Sequence, residues 1–328
     1  MTFARFAAPA IAGLILAAPA VALAQAQDYP TRPVTLVAPW PAGGAIDTLC
    51  RILGPKLSDR LGKPVIIENR AGAASVIGTA AIAKAAPDGY TLVMGGATAL
   101  AVAVTVYKKL PYDPTKDFAP IALVSRIPFV LVAHPSLPVR SVPQLIQFAK
   151  EKPGQLSYAS GGPGSPHHLY MELLKSMTGI EMMHIPYKGN APAATDVLAG
   201  HVPLMFSDPV PSLPPIREGR LVALGVSSAT RWPASPEIPP IAEAGVPGFD
   251  AVAWSMIVAP ANTSDAIVNK LHSVLKSIQE LPEIQQQMIN LGTIPVSSPP
   301  PEELQRFINS EIGRWGKVVH QAGIAGSE

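Results

Sequence analysis

The chain has 328 residues, 48% of them hydrophobic, which is enough for one large or two medium domains with sizeable cores and excludes a disordered or fibrous protein. Charged residues make up 15%, against a usual ~25%, and 37 prolines with 26 glycines require many short elements and many turns. The 25 basic and 23 acidic residues leave a formal charge of +2 with no basic run longer than Lys108-Lys109, so the electrostatic footprint of a nucleic-acid binder is missing.

Residues 1–26 read as an export signal: Arg5 supplies the basic start, residues 7–23 are uncharged and alanine-rich, and Ala22-Leu23-Ala24 and Ala24-Gln25-Ala26 are overlapping small-x-small cleavage sites. The mature chain is expected to begin at Gln25 or Gln27. A membrane anchor fits less well, because the stretch falls short of about 20 apolar residues and contains Pro9 and Pro19. Cys50 is the sole cysteine, which leaves no intramolecular disulfide, no cysteine-based zinc cluster and no lipid-attachment box beside the cleavage site. The expected protein is therefore free in the periplasm, with Cys50 a small buried hydrophobe.

Beyond the signal, Val34–Ala38 is a β-branched run, followed by a Pro-Gly turn and then Ile46, Leu49, Leu53, Leu57 and Leu61 at helical spacing. Pro55 inside that helix predicts a break or kink near Gly54. Strand 65–68, helix 75–86, the turn Pro87-Asp88-Gly89 and strand 91–94 continue the alternation that makes a parallel sheet covered by helices. A second series follows: helix 141–150, strand 156–159, helix 165–177, strand 182–184, helix 191–198 and strands 202–206 and 221–226. The end is helical over 264–279, 282–291 and 301–320. Two long apolar extended segments, 121–133 and 251–259, lie between the series as crossings. They divide the mature chain into a first domain of residues 27–125 plus 248–328 and an inserted second domain of residues 126–247, an α/β architecture with a mostly parallel sheet flanked by helices in each half.

Three glycine-rich turns follow strands: Pro41-Ala42-Gly43-Gly44-Ala45, Gly95-Gly96-Ala97-Thr98 and Ser160 through Ser165. In open α/β sheets ligands bind beyond the carboxyl ends of strands, where glycine lets backbone N–H groups approach and a helix N-terminus favours an anion. Ser165-Pro166 adds a good helix entry, with Ser as N-cap and Pro at the first helical position. A single such turn also serves plain strand-helix packing; three across two domains point to a cleft. No G-x-x-x-x-G-K-[ST] and no G-x-G-x-x-G occurs, and basic side chains are missing from the turns, so a singly charged group such as a carboxylate suits them better than a phosphate. His168 and Glu172 stand four apart but lack a third metal ligand. Gly225-Val226-Ser227-Ser228-Ala229 departs from a nucleophile motif at its last glycine. No catalytic residue, metal or cofactor is expected.

The residues then match something specific. Tyr29-Pro30-Thr31-Arg32-Pro33-Val34, Pro39-Trp40-Pro41-Ala42-Gly43-Gly44 with Asp47, Leu61-Gly62-Lys63-Pro64-Val65 and Glu68-Asn69-Arg70-Ala71-Gly72 resemble the Bug family of tripartite tricarboxylate transporter substrate-binding proteins. The likeness continues through residues 83–92, Leu110-Pro111-Tyr112-Asp113-Pro114, Asp117-Phe118-Ala119-Pro120, residues 158–162, residues 184–189 and Pro260-Ala261. It implies a two-domain, type II-like periplasmic binding protein that closes on a small carboxylate and delivers it to a membrane permease. A sensor protein is a further partner, and the protein itself is expected to be a monomer.

By the resemblance, the carboxylate is held by backbone amides and ordered water at Trp40, Pro41, Ala42, Gly43, Gly44, Ala45 and Asp47. Gly96, Ala97, Thr98, Ser160, Gly161, Gly162, Ser165 and His168 line the cleft from the other turns, with Ser207 and Asp208 at the second group. Asp47 has a second reading as a helix-start stabiliser, since an acid repels a bound carboxylate. Trp40 stands where the family commonly has Phe, and Phe206-Ser207-Asp208-Pro209 moves the usual acid by one position, so ligand identity does not transfer. Two rival readings are a ligand-presenting receptor for a signalling partner and a secreted hydrolase using Ser165 or His168 in the same cleft.

Overall fold

The computed structural model of the chain describes residues 29–327, and the export signal and its cleavage sites lie outside them. The first sheet contains β1 (Val34–Ala38), β2 (Val65–Asn69), β3 (Thr91–Gly96), β4 (Phe118–Ile127), β10 (Ala253–Pro260) and β11 (Ile294–Pro295), in the order β11-β4-β10-β3-β1-β2. The second contains β5 (Val130–Ala133), β6 (Ser157–Ser160), β7 (Met183–Pro186), β8 (Leu204–Ser207) and β9 (Val222–Val226), in the order β7-β6-β8-β5-β9.

In the first sheet β1 runs parallel to β2 and β3, as the strand-helix-strand alternation requires. Its run VTLVA is apolar at almost every position because helices cover both faces of a parallel sheet. Strand β10 enters antiparallel between β3 and β4. The two apolar segments read as crossings behave differently. Residues 121–133 split into β4 of one sheet and β5 of the other, separated only by Pro128 and Phe129. A proline cannot donate to a strand ladder, so the chain leaves the first sheet there. The later segment becomes β10, wholly within the first sheet, and the return from the second sheet takes the stretch between Val226 and Ala253.

Helix α1 (Ala45–Leu61) buries Leu49, Cys50, Leu53 and Leu57 against the first sheet. Each buried leucine contributes roughly 1.5–3 kcal/mol relative to exposure. The expected break at Pro55 does not occur, since the helix runs on to Leu61. Pro55 lies on the exposed face together with Arg51, the residue whose carbonyl a proline at this position leaves without its usual i+4 donor. Burial pushes the Cys50 thiol up to about 12, fitting its place as a core hydrophobe.

Helix α2 is shorter than expected, Val76–Ala83: left-handed backbone angles at Ala73, Ala74 and Ser75 delay its start, and it ends at Lys84, ahead of Pro87. A helical segment absent from the sequence reading follows β3, with a wide π-helical turn at Thr98–Val102 running into α3 (Ala103–Val106). Next come α4 (Val142–Glu151), α5 (Pro166–Thr178), α6 (Asn190–Leu198), α7 (Pro209–Arg217), α8 (Asp265–Gln279), α9 (Pro282–Asn290) and α10 (Pro301–Gln321). Helix α7 was not anticipated either, because Pro214 and Pro215 lie inside it. The C-terminal α10 packs on β4, on the segment after β3 and on α5, with Trp315 stacked on Tyr170 at 5.4 Å, so it touches elements of both lobes. No described helix is long and apolar enough to cross a membrane.

Candidate functional site

A cleft of about 690 Å³ opens between the lobes, where the turns after β1, β2, β3, β6, β7 and β8 face one another. Its floor is formed by Ile127, Phe129, Ala253 and Trp254 of the crossing segments. The Trp254 indole is fixed from behind, donating to Glu311 Oε2 at 2.8 Å, and Trp315 donates to the same oxygen at 3.0 Å.

The first-lobe wall is almost entirely backbone and apolar side chain. Trp40, Pro41, Gly44, Ala45 and Ile46 line it, with Gly96, Ala97 and Thr98 beside them. Gly44 takes the N-cap position of α1 with no side chain to cap it. The first-turn N–H groups have no intrahelical partner, so those of Ala45 and Ile46 lie at the open positive end of the helix. What holds this turn lies behind it. The Asp47 carboxylate, 2% exposed, accepts the Gly43 N–H at 2.8 Å, Asn69 Nδ2 at 2.9 Å and Arg51 Nε at 3.0 Å. Asn69 also donates to the Trp40 carbonyl at 3.1 Å. The Arg51 guanidinium, with help from the Gly43 N–H and Asn69, outweighs burial and holds the Asp47 carboxyl at about 2.

Ala73, Ala74 and Ser75 complete this wall with φ of 43°, 48° and 77°. Left-handed backbone costs a non-glycine residue about 1–2 kcal/mol, and strain of this kind persists where surrounding structure fixes it. Gly96 is required for close approach, since an added Cβ would stand 2.9 Å from the Trp254 carbonyl oxygen.

The second-lobe wall carries polar side chains. Gly161, Pro163, Gly164, Ser165, Pro166 and His167 line it, with Gly189, Asn190 and Asp208 opposite. Ser165 caps α5 by accepting the His168 N–H and donates its hydroxyl to the Gly162 carbonyl at 2.7 Å. With Pro166 lacking a donor, the first turn of α5 is left with the N–H of His167. Behind the turn, Ser160 Oγ accepts the Gly162 N–H at 3.0 Å and pairs with His184 Nε2 at 2.6 Å. His168 Nδ1 accepts the Gly164 N–H at 3.3 Å, and its ring stacks on His184 at 3.9 Å with 7° between planes. Burial and the neighbouring His184 pull His168 down to about 4, against a smaller opposing pull from Glu172, and burial lowers His184 as well. Two neutral rings in contact avoid the repulsion that two imidazolium ions would meet.

Residues 49–324 match the model of the tripartite tricarboxylate transporter family receptor. The chain belongs to this receptor family. A curated member, Protein BugT of Bordetella pertussis, is 37% identical over 316 residues, covering 96% of this chain and 97% of BugT. Among solved structures, an R. palustris protein with adipate superposes with a TM-score of 0.79 at 38% identity, covering 91% of this chain and 99% of that one. MatC from Rhodopseudomonas palustris with bound malate gives a TM-score of 0.74 at 32% identity, covering 89% and 100%. The two-sheet architecture is that of periplasmic binding proteins of this type.

Within this receptor fold the residues singled out in the sequence divide into two groups. Trp40, Pro41, Gly44, Ala45, Gly96, Ala97, Thr98, Gly161, Ser165 and Asp208 line the cleft together. Ala42, Gly43, Asp47, Ser160, Gly162, His168 and Ser207 do not. Asp47, Ser160 and His168 are buried behind the wall and tie its turns in place, as the hydrogen bonds above describe, and Ser207 is buried at the end of β8. Gly43 supplies a φ of 83° to the first turn, and Gly162 a φ of 112° to the second-lobe turn. Sequence reasoning missed Asn190, Phe129, Trp254 and the 73–75 turn, and covered His167 only as part of the 160–168 stretch. Asn69, Arg70 and Gly72 lay within quoted family landmarks, and the pairing of Asn69 with Asp47 could have been sought there. Among the described residues no group of three or more His, Cys, Asp or Glu could hold a metal, and no Lys or Arg lines the cleft.

Proposed function

We propose that this receptor captures a small organic carboxylate between its lobes in the periplasm and delivers it to a tripartite tricarboxylate-type membrane permease. The observation that carries the reading is the convergence of the N-termini of α1, α5 and α6, those of α1 and α6 without a side-chain cap, on a cleft with no lysine or arginine along it. N-terminal N–H groups and helix dipoles favour negative charge, and they do so without a cationic side chain. Micromolar affinity needs about 8 kcal/mol. Hydrogen bonds to a charged group contribute roughly 1.5–3 kcal/mol each, so three or four donors and apolar burial on Trp40, Phe129 and Trp254 suffice. The adipate and malate in two relatives support a carboxylate ligand.

The lobes in this reading are residues 27–125 plus 248–328 and the inserted 126–247, and closure occurs about the Pro128–Phe129 crossing and the segment leading into β10. A thermal-shift screen of organic acids against their amides tests the anion, and small-angle scattering on any hit tests closure. A ligand at a hundredfold excess over its dissociation constant stabilises the folded state by about 2.7 kcal/mol, a shift of several degrees. Acids are expected to shift the melting point and amides to leave it unchanged. Equal shifts would defeat anion recognition, and a shift without compaction would defeat closure.

A further inference from the structure

The two ends of the cleft differ in chemistry. The first-lobe end offers N–H donors and no carboxylate, imidazole, lysine or arginine side chain, whereas the second-lobe end presents the Asp208 carboxylate, its side chain 34% exposed. Asp208 occupies the N-cap position of α7 and makes no capping bond there. Its carboxylate instead accepts from Asn190 Nδ2 and stands 3.5 Å from His167 Nε2, beyond a normal hydrogen bond. His167 is only 7% exposed, and neither ring nitrogen has a hydrogen-bond partner; the Asn190 Oδ1 is buried and unpartnered as well. Buried polar groups are nearly always paired, so a cluster with several unmet groups on a ligand cleft is one that a ligand or its water completes.

We infer that the Asp208, Asn190 and His167 end of the cleft takes an N–H or O–H donor on the ligand, so that the acid bound here carries an amino or hydroxyl group opposite its carboxylate. This rests on the carboxylate reading above and adds the identity of the second group. An ionised carboxylate is acceptor-only with about four lone-pair sites. Asn190 fills one, and a donor on the ligand can fill another. A second ligand carboxylate brought to the same place faces like charge without a lysine or arginine on the cleft wall to offset it. The Phe129 ring packs edge-on against His167 at 5.2 Å and holds the imidazole beside Asp208, which narrows the positions a donor can take.

The test is calorimetry on the full mature protein with four probes of equal carbon number: the unsubstituted monocarboxylate, the ω-hydroxy acid, the ω-amino acid and the dicarboxylate, each in four-, five- and six-carbon series. At the best-fitting length the hydroxy or amino acid is expected to bind at least tenfold tighter than both the monocarboxylate and the dicarboxylate. An advantage for both donors marks hydrogen bonding, and an advantage for the amine alone marks charge pairing; either supports the inference. Asp208→Asn is expected to remove the advantage and to strengthen dicarboxylate binding. Should that variant fail to fold, the wild-type series decides alone. A dicarboxylate that binds tightest, or donor-bearing acids no tighter than the monocarboxylate, overturns the inference while leaving the carboxylate cleft standing. If no acid of any length binds, both readings fall.

Discussion

The two walls of the cleft do the same geometric job with different chemistry. On the first lobe the turn after β1 presents backbone to the cleft, and its buried acid, Asp47, is turned inward onto Gly43, Asn69 and Arg51. On the second lobe the turn after β6 is held by Ser160, His168 and His184, and Asp208 faces the cleft. Anion recognition can therefore rest on the side whose buried acid is held at about 2, and selectivity and acid sensitivity on the side that carries the histidine stack and Asp208.

Filling the first wall is the most direct way to break this division. Gly44 has an ordinary φ of −77°, and a Cβ there would meet only the Pro41 carbonyl oxygen at 3.5 Å, so Gly44→Val is tolerated by the backbone while it crowds the open end of α1. Carboxylate affinity is expected to fall roughly a hundredfold or more, about 2.7 kcal/mol, with a near-native unfolding curve by circular dichroism. Unchanged affinity would move anion recognition away from this wall.

Acidification should separate the walls by pH. His168 sits at about 4 in the folded protein, against about 6.5 in an unfolded chain. The unfolded state thus binds more protons between these values, and stability is full above about 6.5 and is lost as pH falls towards 4. His168 alone accounts for roughly 3 kcal/mol across that window. Asp47, held at about 2, is shifted down as well, here because its charged form is the favoured one. Its contribution is full above about 4 and is lost as pH falls to 2. Hydrogen exchange at pH 7, 5 and 4 is expected to show protection of residues 161–168 weakening while residues 43–48 stay protected. Simultaneous loss in both would show that the histidine stack does not set the acid limit.

Asp47→Ala leaves the Gly43 N–H and the Asn69 amide without their acceptor and should cost about 1–2 kcal/mol in urea unfolding. Because the side chain is behind the wall, affinity should fall less than for Gly44→Val; a larger fall would put Asp47 at the ligand. Smallest is Gly43→Ala. No atom lies within 4 Å of an added Cβ, so only its φ of 83° resists the change. The expected loss is about 1 kcal/mol of stability, and a neutral result would mean that the turn relaxes freely.

Much of this division could be read from the chain. The runs read at 34–38, 156–159 and 202–206 and the glycine-rich turns after the first two are local signals, because β-branched residues, helical spacing and Gly-Pro punctuation act over a few residues. The Ser165-Pro166 helix entry was legible for the same reason and caps α5 as its chemistry suggests. Helix α7 was not, since four prolines in Pro209–Arg217 argue against a helix that tertiary contacts nevertheless support, with Ser212 Oγ donating to the Pro209 carbonyl at 2.7 Å.

The sequence by itself determined the alternation of strands and helices, a crossing within residues 121–133 and the turns rich in backbone donors, all consequences of local conformational preference and hydrophobic period. Only the tertiary structure decided which turns meet, and which way each side chain on them points. Asp47 points in because Arg51, one turn along the same helix, and Asn69, on the neighbouring strand, both reach its carboxylate. Asp208 points out because its neighbour Asn190 comes from another helix and leaves part of the carboxylate uncovered. Neither choice has a short-range signature, since the direction of a carboxylate is set by whichever donors the fold brings within hydrogen-bonding distance.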